Sequence, residues 1–207
     1  MNVRGIARTV IAGGALVVLG SLPAIAQTVS FSTTGSFSGG GCTTTSCAFD
    51  GFTLSFTPVG SNTFFSGSLI DLGSFNTQCV TCTNGSMQNF PSGVTFTLTI
   101  NQTAPSAGSG AFVGAVSGVL AFNPSFSSLV WTPSPNNLGI GLASYSLVVD
   151  NTGNFNIAPP TSDANPNPTV VKAFVTVTPE PATMGLMATG MFGLIPIVRR
   201  RRRISAA

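Results

Sequence analysis

The chain has 207 residues, of which only 6% are charged against 43% hydrophobic, and it contains no histidine. The net charge of +3 sits at the ends: Arg4 and Arg8 near the start and Arg199 to Arg203 near the finish. Between Gln27 and Thr178, Lys172 stands against Asp50, Asp71, Asp150 and Asp163, one base minus four acids, or −3. That balance excludes a phosphate-neutralising surface and hence nucleic acid as a partner. Without histidine, the commonest metal ligand and general base is missing. Disorder is excluded too, because 15 of the 16 phenylalanines lie between those same two positions.

The first 26 residues have the layout of a cleavable export signal. Arg4 and Arg8 precede an apolar run from Val10 to Leu22, and Ala24-Ile25-Ala26 supplies small residues at the cleavage positions, leaving Gln27 at the mature start. The run is short for a full span. Export makes the translocon and signal peptidase partners of the precursor.

From Gln27 to Thr178 the sequence predicts one all-β domain. Val29, Phe31 and Thr33 alternate with small polar residues, as do Phe52, Leu54 and Phe56. Phe64 to Ile70 and Leu72 to Phe75 are shorter candidates. Val94, Phe96, Leu98 and Ile100 interleave with Thr95, Thr97 and Thr99, which places apolar side chains on one sheet face and threonines on the other. Ala111 to Phe122 suits a central strand, followed by Phe126 to Thr132, Ala143 to Asp150, a turn at Asp150-Asn151-Thr152-Gly153, and Phe155 with Ile157. A last strand runs from Thr169 to Thr178. Ala158 to Pro168 is too proline-rich for a central strand and is expected as a surface loop. Roughly nine strands at ~8–12-residue spacing predict an antiparallel β-sandwich of the jelly-roll or immunoglobulin-like class.

Four cysteines form two close pairs, Cys42 with Cys47 and Cys79 with Cys82. Paired cysteines have zinc-knuckle spacing, and Cys79-Val80-Thr81-Cys82 has redox spacing. An exported chain without a βαβ setting favours structural disulfides over both. Local pairing, 42–47 and 79–82, is preferred, with cross-pairing left open.

Other chemistry is thin. The four aspartates are scattered, without calcium-loop spacing, and each fits a turn or cap; a paired-carboxylate hydrolase site would have to form in three dimensions. A Ser-His-Asp triad is impossible without histidine. Trp131 and Tyr145 could stack on a sugar ring, although a lone Trp in such a domain is more often core. Asn84-Gly85-Ser86 and Asn101-Gln102-Thr103 fit the glycosylation pattern. No cofactor or metal is expected.

Pro179 and Pro181 end the last strand. Ala182 to Val198 follows, 17 residues without a charge, which at ~1.5 Å per residue just reach across a bilayer. The five arginines Arg199, Arg200, Arg201, Arg202 and Arg203 then hold the cytoplasmic side. This order, Pro179-Glu180-Pro181, an apolar helix and an arginine cluster, resembles the PEP-CTERM sorting signal of bacterial exported proteins. The resemblance implies recognition by an exosortase, a membrane-embedded cysteine-dependent transpeptidase that cuts near Pro179-Glu180-Pro181 and discards the helix. It also implies a membrane-anchored precursor and a mature product at the cell surface or in the matrix of exopolysaccharide-making bacteria. The expected organisation is therefore signal peptide 1–26, β domain 27–178 and sorting segment 179–207. The expected role is a non-enzymatic surface or matrix protein associated with exopolysaccharide or biofilm. A carbohydrate-binding or adhesion module is the alternative, and a secreted hydrolase a second one.

Overall fold

The run from Val94 to Ile100 becomes a regular strand from Thr95 onward: Val94, Phe96, Leu98 and Ile100 are buried and the intervening threonines only half so. It belongs to a computed structural model that describes residues 27–83, 85–122, 128–160 and 167–178. Thirteen strands and no helix occur among the described residues: β1 (Thr28–Ser38), β2 (Ser46–Phe49), β3 (Phe52–Pro58), β4 (Asn62–Phe65), β5 (Ser68–Cys79), β6 (Met87–Asn89), β7 (Thr95–Ala104), β8 (Gly108–Ala121), β9 (Ser128–Pro133), β10 (Asn137–Ile140), β11 (Ala143–Leu147), β12 (Phe155–Ile157) and β13 (Asn167–Val177).

All pairings are antiparallel and build two sheets. The first runs β12-β9-β8-β7-β1-β4, with β6 also beside β8; the second runs β10-β11-β13-β5-β3-β2. The chain passes from one sheet to the other seven times, so most core contacts join residues far apart in sequence. Inward side chains of both sheets form a single apolar cluster. Aromatic rings dominate its middle: Phe75 of the second sheet lies 4.7 Å from Phe96 of the first, and Phe96 lies 5.3 Å from Trp131. Such tilted and edge-on contacts suit the ring quadrupoles and add to the burial of large apolar areas.

Three polar residues, Thr33, Thr77 and Gln102, are buried with this cluster, and all three tie one sheet's chain to the other's. The Thr33 hydroxyl on β1 donates to Leu72 O of β5 at 2.8 Å and accepts from Val59 N at 2.8 Å. The Thr77 hydroxyl on β5 donates to Ala158 O, just beyond β12, at 2.8 Å. Gln102 on β7 donates from Nε2 to Ile140 O of β10 at 3.1 Å and to Ser106 O at 2.8 Å, while its Oε1 accepts from the Tyr145 hydroxyl of β11 at 2.7 Å. Apolar packing is non-directional, whereas these bonds are satisfied in only one relative placement of the sheets.

Several strand boundaries differ from the sequence expectation. Phe64 to Ile70 is not one strand, because Ser66-Gly67 carries the chain from β4 in the first sheet to β5 in the second. Ile70 and Leu72 to Phe75 instead share the long strand β5, joined through a bulge at Leu72, where Gly73 pairs with Val171 but Asp71 pairs with Lys172. The bulge shifts the inward set from Ile70 and Leu72 to Phe75, Thr77 and Cys79, so one strand keeps its apolar side inside despite the break in period. Gly73 makes this possible: its φ is 135°, and a Cβ there would lie 2.3 Å from the Phe56 ring and 2.7 Å from Thr57 O. The proline-rich stretch also contributes more than a loop, since Asn167 and Pro168 pair with Thr77 and Asn76 at the start of β13.

Candidate functional site: the exit strand and the outer sheet faces

β13 lies inside the second sheet between β11 and β5, so it is hydrogen-bonded on both edges. Its far end is pinned as well. Gly67 N donates to Val175 O at 2.7 Å, Val177 N donates to the Ser66 hydroxyl at 2.9 Å, and Thr178 N donates to Leu142 O at 2.9 Å. The fold therefore holds the chain as far as Thr178, and a cut immediately beyond it would leave all thirteen described strands in place. Pro179, Glu180, Pro181, the apolar stretch and Arg199 to Arg203 lie outside the described residues, as do the 26 residues of the expected export signal.

The cysteines pair locally, Cys42 with Cys47 and Cys79 with Cys82. Both bridges lie at one end of the second sheet, where Cys47 pairs with Leu54 across β2–β3 and Cys79 with Phe52 across β3–β5. No group of three or more metal-ligating side chains occurs among the described residues.

Trp131 and Tyr145 do not form a sugar platform. Both are fully buried, Trp131 edge-on to Phe75 and Phe96 and Tyr145 edge-on to Phe31, so neither ring has a face open to a ligand. Tyr145 instead supplies the hydroxyl that Gln102 accepts, and burial pushes that hydroxyl above its ordinary range, keeping it a donor.

The described aspartates are spread over three settings. Asp50 (φ 44°) and Gly51 (φ 83°) form the two-residue turn of the β2–β3 hairpin, both with positive φ. Asp71 faces Lys172 across β5–β13 at 3.9 Å, both exposed, a pair of small energetic weight. Asp150 organises the turn before β12: Oδ1 accepts from the Thr152 hydroxyl at 2.6 Å and from the amides of Thr152 and Asn154, each at 2.9 Å. The Thr152 hydroxyl and then the Asn154 amide hold its carboxyl below the usual range. Asp163 and Asn84 fall outside the described residues.

The outer face of the first sheet carries a different pattern. Across β1–β7, Ser32 opposes Asn101, Thr34 opposes Thr99, Ser36 opposes Thr97 and Ser38 opposes Thr95. β8 extends these rows with Ser109, Ala111, Val113 and Ala115. None of these positions is charged. The result is an uncharged ladder of hydroxyls and methyls with strands ~4.8 Å apart. Gln102 is a buried polar residue joining the two sheets that sequence reasoning passed over. Its signal was present, because it continues the inward series of Phe96, Leu98 and Ile100 by one further step of two.

The described residues define an all-β domain whose last strand is held as far as Thr178, immediately ahead of the stretch in which the sequence places a sorting segment. The particular segment is identified by the family model described as the PEP-CTERM protein-sorting motif, which matches residues 177–203. The chain carries that motif, and the match begins on the last residue of β13. The motif implies export, membrane-anchored sorting before processing, and an exosortase as the processing partner. No curated protein and no solved structure matches the chain.

Proposed function

We propose that this chain is an exosortase-sorted surface or matrix protein whose β domain works by non-enzymatic contact with extracellular polymer. The observation that carries this reading is the sorting motif starting where β13 ends. In it, Pro179, Glu180 and Pro181 are the recognised residues, Ala182 to Val198 is the transient anchor, and Arg199 to Arg203 retain the cytoplasmic side. The two sheets act as the layers of a β-sandwich that stays intact after the cut, delivered to the cell surface or matrix. Its uncharged hydroxyl ladder suits hydrogen bonding to a neutral exopolysaccharide, for which a charged face would be no advantage. A defined aromatic sugar site is not favoured, since Trp131 and Tyr145 are both buried.

The test is mass spectrometry of the mature ends in the native host, with and without its sorting enzyme. The surface fraction of the intact host should lack Arg199 to Arg203, and deletion of the enzyme should restore them to a membrane-bound chain. An intact arginine tail in the wild-type surface fraction would leave a plain anchored protein and remove the sorting reading.

A further inference from the structure

The sorting motif and the β domain overlap. The family match begins at Val177, where β13 ends, and Thr178 is held one residue further by its bond to Leu142 O. Pro179, Glu180 and Pro181 alone separate Thr178 from the apolar stretch that starts at Ala182. A cut that frees the whole domain from that stretch therefore falls within three residues of a paired strand. Those residues offer little to grip. Enzymes that cut chains take them extended, through main-chain hydrogen bonds of the kind made in strand addition. Pro179 and Pro181 have no N–H, which leaves Glu180 as the single amide donor between Thr178 and Ala182. The next two donors upstream are both engaged, Thr178 N by Leu142 O and Val177 N by the Ser66 hydroxyl, each at 2.9 Å.

The strand end can open without the core. Val175 is fully buried, but Thr176 and Thr178 are exposed and Val177 is only half-buried, so peeling back as far as Val175 uncovers little apolar surface. We infer that the exosortase cuts this chain from a locally opened state in which Val177 and Thr178 have left Ser66 and Leu142, and that the hold of β11 and the Ser66-Gly67 turn on them sets the rate of cutting. Where opening and closing outpace cutting, the rate follows the open fraction. Once the anchor is removed the freed end pairs again, and the delivered domain keeps β13 whole. The inference rests on the sorting reading above and adds to it a brake coded in the fold.

The experiment follows the full chain in its native host by pulse labelling and mass spectrometry of the C-terminal end. Ala143 and Val177 are directly opposed across β11–β13 and flank the hydrogen-bonded pair of Leu142 with Thr178, so they form a close, non-hydrogen-bonded pair that a disulfide can bridge. Ala143→Cys with Val177→Cys, the bridge verified by unreduced peptide mapping, should slow cutting about tenfold or more. A Gly-Ser-Gly-Ser spacer placed between Thr178 and Pro179 of the bridged chain should return the parent rate, and the same spacer alone should speed cutting severalfold. A bridged chain cut at the parent rate, or a spacer alone without effect, would overturn the inference and leave the sorting reading in place. A bridged chain that the spacer fails to rescue would assign the loss to the substitution at Val177 and overturn the inference as well. A parent chain that keeps Arg199 to Arg203 would remove the sorting reading and this inference together.

Discussion

Replacing Gln102 by leucine tests whether buried polar bonds, and not apolar packing alone, fix the two sheets against each other. Leucine keeps most of the volume of this 3%-exposed side chain, so the loss is chiefly polar. The Tyr145 hydroxyl loses its 2.7 Å acceptor in a fully buried position, and the carbonyls of Ile140 and Ser106 each lose a donor. An unpartnered buried group costs about 1–3 kcal/mol, which puts Gln102→Leu at about 3–5 kcal/mol once the two carbonyls are included. That is a large share of the ~5–15 kcal/mol that holds a domain together. Tyr145→Phe strands only Gln102 Oε1 and should cost about 1–2 kcal/mol. In the double variant neither partner is left stranded by the other, so its cost should fall short of the sum by about 1–2 kcal/mol. Urea unfolding followed by the fluorescence of the single, buried Trp131 measures all three. A Gln102→Leu cost below about 0.5 kcal/mol, or strict additivity in the double variant, would refute the reasoning.

Gly73→Ala should destabilise by more than about 2 kcal/mol, because alanine meets both an unfavourable φ and the Phe56 ring, whereas Gly60→Ala, with open space around it, should stay within about 0.5 kcal/mol. Peptide mapping without reduction should recover Cys42 with Cys47 and Cys79 with Cys82. Removing either bridge should cost about 2 kcal/mol for so short a loop, against ~3–4 kcal/mol for bridges closing tens of residues. The depressed Asp150 carboxyl binds its proton less readily folded than unfolded, so its contribution is complete above the ordinary aspartate value of about 3.9 and is lost as pH falls through the lower folded value. Asp150→Ala should therefore unfold with a flatter acid limb than the parent chain in urea midpoints taken between neutral pH and about pH 2; an unchanged acid limb would contradict the turn geometry.

Strand type was legible wherever one face is buried and the other wet, because alternation at period two survives translation into burial almost residue for residue, as from Val94 to Ile100. It failed where the backbone broke the period. Nothing local in Leu72-Gly73 says whether the glycine ends a strand or carries a bulge; that depends on β13, about 100 residues later, presenting Val171 opposite it. Sheet membership was equally hidden, since Ser66-Gly67 reads as an ordinary turn and only the pairing of β4 with β1 shows that it changes layers. The sorting motif was readable because it is a linear signal decoded by another protein, with no need of a partner segment.

Low charge raises a question that the topology answers. A domain whose described residues include only Asp50, Asp71, Asp150 and Lys172 as charges has little electrostatic protection against edge-to-edge association, and surface tethering would concentrate it further. Among the described strands, those with a partner on one side only are the short ones: β6 and β12 have three residues and β2, β4 and β10 have four each, while the long strands β1, β5, β7, β8 and β13, of ten to fourteen, all have partners on both sides. β2 is further tied down by the Cys42–Cys47 bridge. A three- or four-residue edge strand offers few unpaired backbone groups to template a second sheet, and the part of β1 that runs past β4 is partly covered by loop carbonyls, Val59 O on Thr33 N at 2.9 Å and Thr44 O on Phe37 N at 3.0 Å, so backbone protection stands in for charge. The faces are then free to remain neutral, which is the condition for the proposed approach of the hydroxyl ladder to an uncharged polymer.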